Sequence, residues 1–403
     1  MAGVVLGAAA LTWADAGTPP PKPAAVTLTS ALRDTFDIVG GVSVAEGRRE
    51  QLLAMVGRNR PLHEEDDSRE LRLFRIDKRG SAQAVPAPFD RVSDDHQARV
   101  LRLGRAWCVT AVSPEQSFMG ACRRGNAPWA TLPTPPHRGD AAYDVAAVGD
   151  ALYVVVASST PQGRRARPYR LVGRTWRAAG PAFSYRGGTA EASALGGHLV
   201  VTILQPLNPQ LRLLRLEPEG RWRTVRPRAV LRRLGRVGHS ALLGVPRRWG
   251  HDLLLGLSIR VTAGPEAQGL DAPPLRSRFG VASLRDGRFA FAPLAPNGQA
   301  QGQVLVHDGR AAVAWKEFLV DHQSATFDAV LRVAELPKDR RRWKQSLTQA
   351  RVLARGPWLF GPNVTAISQG AHRYLLHPVL EGEDRVVYTM TRLHKNKRRG
   401  ERG

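Results

Sequence analysis

Cysteine and long apolar runs are what this sequence has least of. Its 403 residues include two cysteines, and no run of 18 apolar residues occurs. A helix needs about that many apolar residues to cross a bilayer, so the sequence does not predict an integral membrane protein. Two cysteines are also too few for a disulfide framework or a multi-cysteine zinc module.

Several motifs of catalysis and nucleotide binding are missing. The sequence has no His-Glu-x-x-His, no P-loop, no Gly-x-Gly-x-x-Gly and no Gly-x-Ser-x-Gly. The segment Gly238-His-Ser-Ala-Leu242 fails the last pattern because leucine stands where glycine is needed. Zinc proteases, P-loop NTPases, nicotinamide enzymes and α/β-hydrolases therefore have no motif here, and we predict no cofactor and no catalytic residue.

Acidic residues are outnumbered by basic ones, 35 to 59, which gives a net charge of +24. Such an excess favours an anionic partner such as a polysaccharide or another envelope component. Only seven of the 59 basic residues are lysine, and this arginine bias is also what a GC-rich genome would produce. Both explanations stay open. Arg221–Arg226 and Arg340–Lys344 place tryptophan among arginines, but at outer turns, so we do not expect specific nucleic-acid binding.

A weak internal repeat is present throughout the chain. Seven times, a short apolar stretch runs into a turn and a second apolar stretch, as in Tyr143–Val156 and Glu191–Val201. A second hairpin follows whose turn ends in an aromatic residue, as in Arg170–Trp176. Four strands per period predict an all-β protein, a single seven-bladed β-propeller over residues 25–391, with six blades as the alternative count. We expect a monomer.

The two ends of the chain complement each other in strand number. The last repeat lacks a fourth strand, whereas Ala25–Leu32 at the N-terminus reads as a strand without a partner. We therefore predict that Ala25–Leu32 completes the last blade and closes the ring, because closure removes an open sheet edge. The segment Arg392–Gly403 reads as a disordered basic tail.

The first 24 residues have the pattern of an export signal followed by a linker. Residues 2–13 form an uncharged apolar run, Ala14-Asp-Ala16 fits a signal-peptidase site, and residues 17–24 are proline-rich. We predict cleavage after Ala16 and a periplasmic or secreted mature protein. A buried first element of the fold is the alternative.

Cys108 and Cys122 lie symmetrically about Glu115 in a predicted hairpin of the second blade. Residues directly opposite on an antiparallel pair have Cβ atoms roughly 4.5–5.5 Å apart, close to what a disulfide requires. In an exported protein such a pair of cysteines would be oxidised to a disulfide. We predict a cross-strand disulfide, with two buried thiols as the alternative.

Two propeller repeat types resemble parts of this sequence. Gly238-His-Ser-Ala-Leu242 and the hairpin pair Gly149–Trp176 resemble kelch repeats, although the double glycine of kelch repeats is absent. The turns Ser283–Phe289 and Gly173–Trp176 are similar to the Asp-box of sialidase-like propellers. These resemblances imply a propeller fold and no particular function.

Weak ligand-binding candidates lie near the inner strands, where a propeller opens to its channel. They are carboxylates and histidines: Asp94, Asp95, His96, His239, His307 and Asp308. Their spacing matches no metal-binding loop, so we predict no metal site. Two functions remain: an exported non-catalytic binding propeller, or a propeller-class carbohydrate-active enzyme such as a sialidase-like glycoside hydrolase or lyase. Clustered carboxylates or arginines at the channel would favour the enzyme.

Overall fold

β-Strands dominate the structure, a computed structural model, with thirty-one among the residues that it describes. The residues that it describes are 25–36, 38–46, 50–59, 68–93, 98–137, 141–186, 189–205, 210–225, 240–243, 247–261, 276–284, 288–293, 299–307, 309–321, 326–356, 364–369, 372–382 and 385–393. The predicted signal peptide, the proline-rich linker and residues 394–403 lie outside the described residues.

The strands form seven antiparallel blades in sequence order, which confirms the predicted fold. Blade 1 follows β1 (Ala25–Thr27) and helix α1 (Leu28–Asp34), and contains β2 (Ile38–Glu46), β3 (Glu50–Arg58), β4 (Ser68–Asp77), β5 (Ser81–Val85) and the short β6 (Arg91–Ser93). Blade 2 contains β7 (Arg99–Leu103), β8 (Ala106–Val112), β9 (Phe118–Arg124) and β10 (Ala130–Thr131). Blade 3 contains β11 (Ala141–Val148), β12 (Ala151–Thr160), β13 (Gly163–Val172), β14 (Thr175–Ala178) and β15 (Phe183–Tyr185).

The remaining blades repeat the same plan. Blade 4 contains β16 (Thr189–Leu195), β17 (His198–Gln205), β18 (Gln210–Leu216) and β19 (Trp222–Val225). Blade 5 contains β20 (Ser240–Leu243), β21 (Arg247–Trp249), β22 (Asp252–Val261), β23 (Arg276–Ser283) and β24 (Phe289–Phe291). Blade 6 contains β25 (Gln299–His307), β26 (Arg310–Asp321), β27 (Thr326–Leu336) and β28 (Arg351–Gly356), with helix α2 (Trp343–Thr348) before β28; blade 7 contains β29 (Thr365–Gln369), β30 (His372–Glu381) and β31 (Arg385–Leu393).

The innermost strands form a closed ring. Neighbouring strands contact one another in the order β2, β7, β11, β16, β21, β25, β29 and back to β2. Glycine makes the inner turns tight: Gly149 and Gly309 have φ of 60° and 66°, in the left-handed region that other residues rarely adopt. Apolar side chains of adjacent blades pack between the sheets, so most of the core is shared by two blades.

The N-terminal segment does not supply the last blade with the predicted strand. Its residues Ala25–Thr27 pair with β5 on the outside of blade 1, and Leu28–Asp34 are helical. The helix begins at Thr27, whose side chain accepts a hydrogen bond from the Ser30 N–H, a local cap that competes with strand formation. Helix α1 packs against β31, and Ile38 of β2 pairs with Val386. The N-terminus thus borders blade 7 through a helix and one bridge.

Three details of the structure depart from the regular repeat or from its predicted end. Trp343 begins helix α2, and the outer strand of blade 6 is β28. Asp339 accepts a hydrogen bond from the Arg341 N–H and starts a helical turn there. The inner turn of blade 5 is at Gly250, with β21 before it. Arg392 and Leu393, predicted in the tail, belong to β31, where Leu393 is buried.

The predicted disulfide is present. Cys108 and Cys122 face each other across β8 and β9, and their sulfur atoms are bonded. Both are buried between blades 2 and 3 beside Leu152 and Val154. Among the residues that the structure describes, no helix has the length and apolar character needed to cross a membrane.

Candidate functional site: the central channel

The inner strands enclose a cavity of about 610 Å³ at the centre of the ring. Small and apolar side chains from β2, β11 and β16 form much of its wall. Its lining also includes four arginines and one glutamate: Arg99, Arg102, Arg247, Arg248 and Glu191. Cavities of this volume are typical of sites for small molecules. We call this set of residues the channel site.

A network of three charged residues joins blades 2, 3 and 4 beside the channel. The guanidinium of Arg99 pairs with Asp144 and, at 3.0 Å, with Glu191. Asp144 also accepts hydrogen bonds from the backbone N–H groups of Val145 and Ala192. Each charged residue comes from a different inner strand, so the network ties three blades together at the centre.

Burial and the neighbouring charges shift the pKa values of Asp144 and Arg99. Burial raises the pKa of Asp144 to about 7, and the negative charge of Glu191 acts in the same direction against the attraction of Arg99. Burial alone would lower the pKa of Arg99, but the two carboxylates outweigh it and raise that pKa.

The other arginines of the channel site are differently placed. Arg102 lies over the ring of Trp107, 4.3 Å from its centroid. Arg247 and Arg248 are exposed within the channel, on β21. Desolvation by the channel walls and the charge of Arg99 lower the pKa of Arg247 to about 10, so it stays charged at neutral pH. Arg248 donates from Nε to the carbonyl oxygen of Gly250 at 3.0 Å.

Most of the predicted ligand-binding residues lie outside the part of the chain that the structure describes. Asp94, Asp95, His96, His239 and Asp308 lie outside the described residues. His307 ends β25, paired in register with Arg310. The described residues contain no group of three metal-ligating side chains. The predicted ligand-binding residues and the predicted absence of a metal site both stay predictions.

The channel site was missed at the sequence level, although a signal was there. Arg99, Asp144 and Glu191 each lie five residues before the inner-turn glycine of their blade: Gly104, Gly149 and Gly196. A charged residue at one repeat position of three apolar strands indicates side chains that meet at the centre. Arg247 and Arg248 gave no such signal, because β21 is polar and short for an inner strand.

No protein-family model and no curated protein matches this chain. Several solved structures are partly similar to it, all with TM-scores below 0.5. Acylaminoacyl peptidase from Pyrococcus horikoshii matches with a TM-score of 0.49 and 8% identity, covering 91% of this chain and 52% of that chain. Trypanosoma rangeli sialidase in complex with the inhibitor DANA matches with a TM-score of 0.44 and 10% identity, covering 77% and 56%. The AfRom2 CNH domain matches with a TM-score of 0.44 and 11% identity, covering 93% and 99%.

The chain spans about half the length of the peptidase and the sialidase, and 39% of the tricorn protease that it also matches. At these identities and TM-scores the similarity carries no argument about fold or function. The strand pairings themselves establish the class of protein, a seven-bladed β-propeller.

Proposed function

We propose that this protein is an exported, non-catalytic binding propeller whose channel site takes an anionic ligand. One observation carries the proposal: four arginines and one glutamate line a central cavity of about 610 Å³. Asp144, behind the wall, adds a second negative charge, so the described charged groups still leave a net positive channel. Arginine binds carboxylates and sulfates through paired N–H donors, which suits such a ligand.

The ion pairs of the two carboxylates, Asp144 and Glu191, favour a non-catalytic binding function. Arg99 pairs with both Asp144 and Glu191, so neither carboxylate is free to act as a nucleophile or general base. Arg247 and Arg248, by contrast, are exposed within the channel and have no carboxylate partner among the described residues. These two arginines are the donors that a ligand would meet.

Calorimetric titration with citrate and with tri-galacturonate tests the proposal. We expect saturable binding of at least one of these anions. The double variant Arg247→Ser/Arg248→Ser should bind it at least tenfold more weakly, because each charge-assisted hydrogen bond contributes roughly 1.5–3 kcal/mol. Arg165→Ser/Arg167→Ser is the matched control, since it removes two exposed arginines from an outer strand. Equal losses in both double variants would reduce the effect to net charge and reject the site.

The enzyme alternative has two observations in its favour. Arginines and carboxylates cluster at the channel, which is the arrangement expected above for an enzyme. Asp144, whose pKa is raised to about 7, lies beside the carboxyl group of Glu191, and glycoside hydrolysis uses a pair of carboxyl groups. Fluorogenic sialosides and uronides would reveal such an activity. Turnover that is lost in Glu191→Gln and kept in Arg165→Ser/Arg167→Ser would make a sialidase-like hydrolase or lyase the better description.

Export is supported by the disulfide, because disulfides persist in oxidising compartments. It is also motivated by the apolar run of residues 2–13 and by Ala14-Asp-Ala16. Mass spectrometry of the native protein should find Gly17 as the first residue. Intact Met1 on protein from the cytosol would reject export.

A further inference from the structure

We propose a second ligand site outside the channel, in the groove between blades 3 and 4, that binds an acidic sugar residue through Arg170 and Arg177. The groove has a volume of about 420 Å³ and is lined from blade 3 by Tyr153, Arg170, Val172 and Arg177. Its other wall includes Gly197 and His198 at the start of β17 and Glu217 after β18. We call it the blade 3/4 groove.

Strand register places like charges side by side in this groove. Arg170 of β13 is directly opposite Arg177 of β14, and on its other side it is opposite Tyr153 of β12. Directly opposed residues point to the same face with Cβ atoms roughly 4.5–5.5 Å apart, and two positive charges in that arrangement destabilise a sheet. An anion bound between the two guanidinium groups would relieve this repulsion.

No residue that the structure describes neutralises this pair. Glu217 is the acidic residue in the groove lining, and it accepts hydrogen bonds from Nε and Nη2 of Arg215 at 2.9 and 2.6 Å. Its charge is thereby balanced within blade 4. Arg170 and Arg177 form no ion pair with any described residue, and both are exposed. Their donors are available to a carboxylate or sulfate.

An apolar surface lies beside the charged pair. Val172, 36% exposed, is the one large apolar side chain that is exposed among the described residues, and it lines this groove. The half-buried ring of Tyr153 lines it too, as does His198, whose Nδ1 lies 3.2 Å from the carbonyl oxygen of Leu216. A ligand that carries an anionic group on a ring with an apolar face matches both features. An acidic sugar, free or within a polysaccharide, has this chemistry.

Two test variants and one control separate the effect of charge from the effect of shape at the blade 3/4 groove. Arg170→Ser/Arg177→Ser removes the charged pair, and Arg165→Ser/Arg167→Ser removes the same charge from the opposite face of the same strand, β13. Gly197→Asn leaves the charge unchanged and adds a side chain inside the groove. A Cβ at Gly197 meets no atom within 4 Å, and asparagine tolerates its φ of 81° better than most residues.

The experiment is calorimetric titration with glucuronate, with glucose and with a chondroitin tetrasaccharide. We expect saturable binding of glucuronate or the tetrasaccharide and none of glucose. The affinity should fall at least tenfold in Arg170→Ser/Arg177→Ser and in Gly197→Asn, and should be unchanged in Arg165→Ser/Arg167→Ser. Binding of glucuronate as tight as that of the tetrasaccharide identifies a single sugar as the unit recognised; binding of the tetrasaccharide alone identifies a polysaccharide.

A stability measurement on the unliganded protein adds a readout that a merely structural role would not give. Because the paired charges repel, Arg177→Ser should raise the Tm by about 1 °C while it weakens binding. Absence of saturable binding or binding of glucose would overturn the proposal. So would an equal loss of affinity in Arg170→Ser/Arg177→Ser and Arg165→Ser/Arg167→Ser. Loss in Arg247→Ser/Arg248→Ser alone would assign the ligand to the channel site and overturn the groove.

Discussion

The indole nitrogen of Trp176 in blade 3 donates a hydrogen bond to the carbonyl oxygen of Pro133, 2.6 Å away, at the end of blade 2. The same link recurs at the two neighbouring boundaries. Trp129 of blade 2 donates to Pro86, which follows β5 of blade 1, at 2.7 Å, and Trp222 of blade 4 donates to Pro181, which follows β14 of blade 3, at 2.8 Å. In blades 2, 3 and 4, the tryptophan of the outer hairpin therefore holds its blade to the one before.

Removing one of these links should destabilise the ring according to how well the indole is buried. Trp176 is 6% exposed, so Trp176→Phe should cost ~1–2 kcal/mol of unfolding free energy in urea through the lost hydrogen bond. Trp222→Phe is the matched control at a more exposed position, and it should cost less. A Trp176→Phe protein as stable as the wild type would show that the hydrogen bond contributes nothing.

Loss of the disulfide should weaken the fold without abolishing it. The bridge joins residues 14 apart in sequence, and the chain-entropy estimate for a loop of about 15 residues is ~3 kcal/mol. The hairpin is also held by β7 and β10 on its two sides. We therefore expect Cys108→Ala to cost only ~1–2 kcal/mol in urea unfolding. Two thiols titrating in the unfolded, unreduced protein would contradict the bridge.

The charged network should make stability depend on pH. The pKa of Asp144 is about 7 in the folded protein and 3.8 when unperturbed. A carboxyl with a raised folded pKa binds its proton more tightly when folded, so its contribution is complete below pH 3.8 and is lost as pH rises through 7. Between pH 5 and 7.5 the wild type should lose ~2–3 kcal/mol relative to Asp144→Asn. Parallel stability curves for the two proteins would contradict the shift.

The N-terminal helix should be required for a stable ring. Leu32 of α1 is fully buried in a cluster with Leu376 and Tyr388 of blade 7. Leu32→Ala should cost ~2–5 kcal/mol, as is usual when a buried leucine is truncated. Thr29→Ala changes an exposed position of the same helix and should have little effect in the same thermal unfolding experiment. Equal melting temperatures for all three proteins would show that the helix is dispensable.

The internal repeat made the fold predictable from the sequence. Segments that depart from the repeat, such as the N-terminal helix, were not predicted correctly. Seven copies of one hairpin pattern gave the blade number, and the symmetry of Cys108 and Cys122 gave the disulfide. The strand expected at Ala25–Leu32 was mostly a helix, because the Thr27 cap and the contacts with blade 7 outweigh its apolar pattern. The channel site depends on which strands meet at the centre, and only the shared repeat position of Arg99, Asp144 and Glu191 could have indicated it.

The closure beside α1 differs from every other boundary between blades. Blades 1 to 7 follow one another along the chain, so six boundaries are crossed by a covalent connection, and the seventh is not. Non-covalent contacts close the ring at that boundary. They are the packing of Leu32 and Phe36, the pairing of Ile38 with Val386 and the salt bridge between Arg33 and Glu381. Because no chain connection crosses this boundary, loss of these contacts would separate blade 1 from blade 7 without breaking any blade.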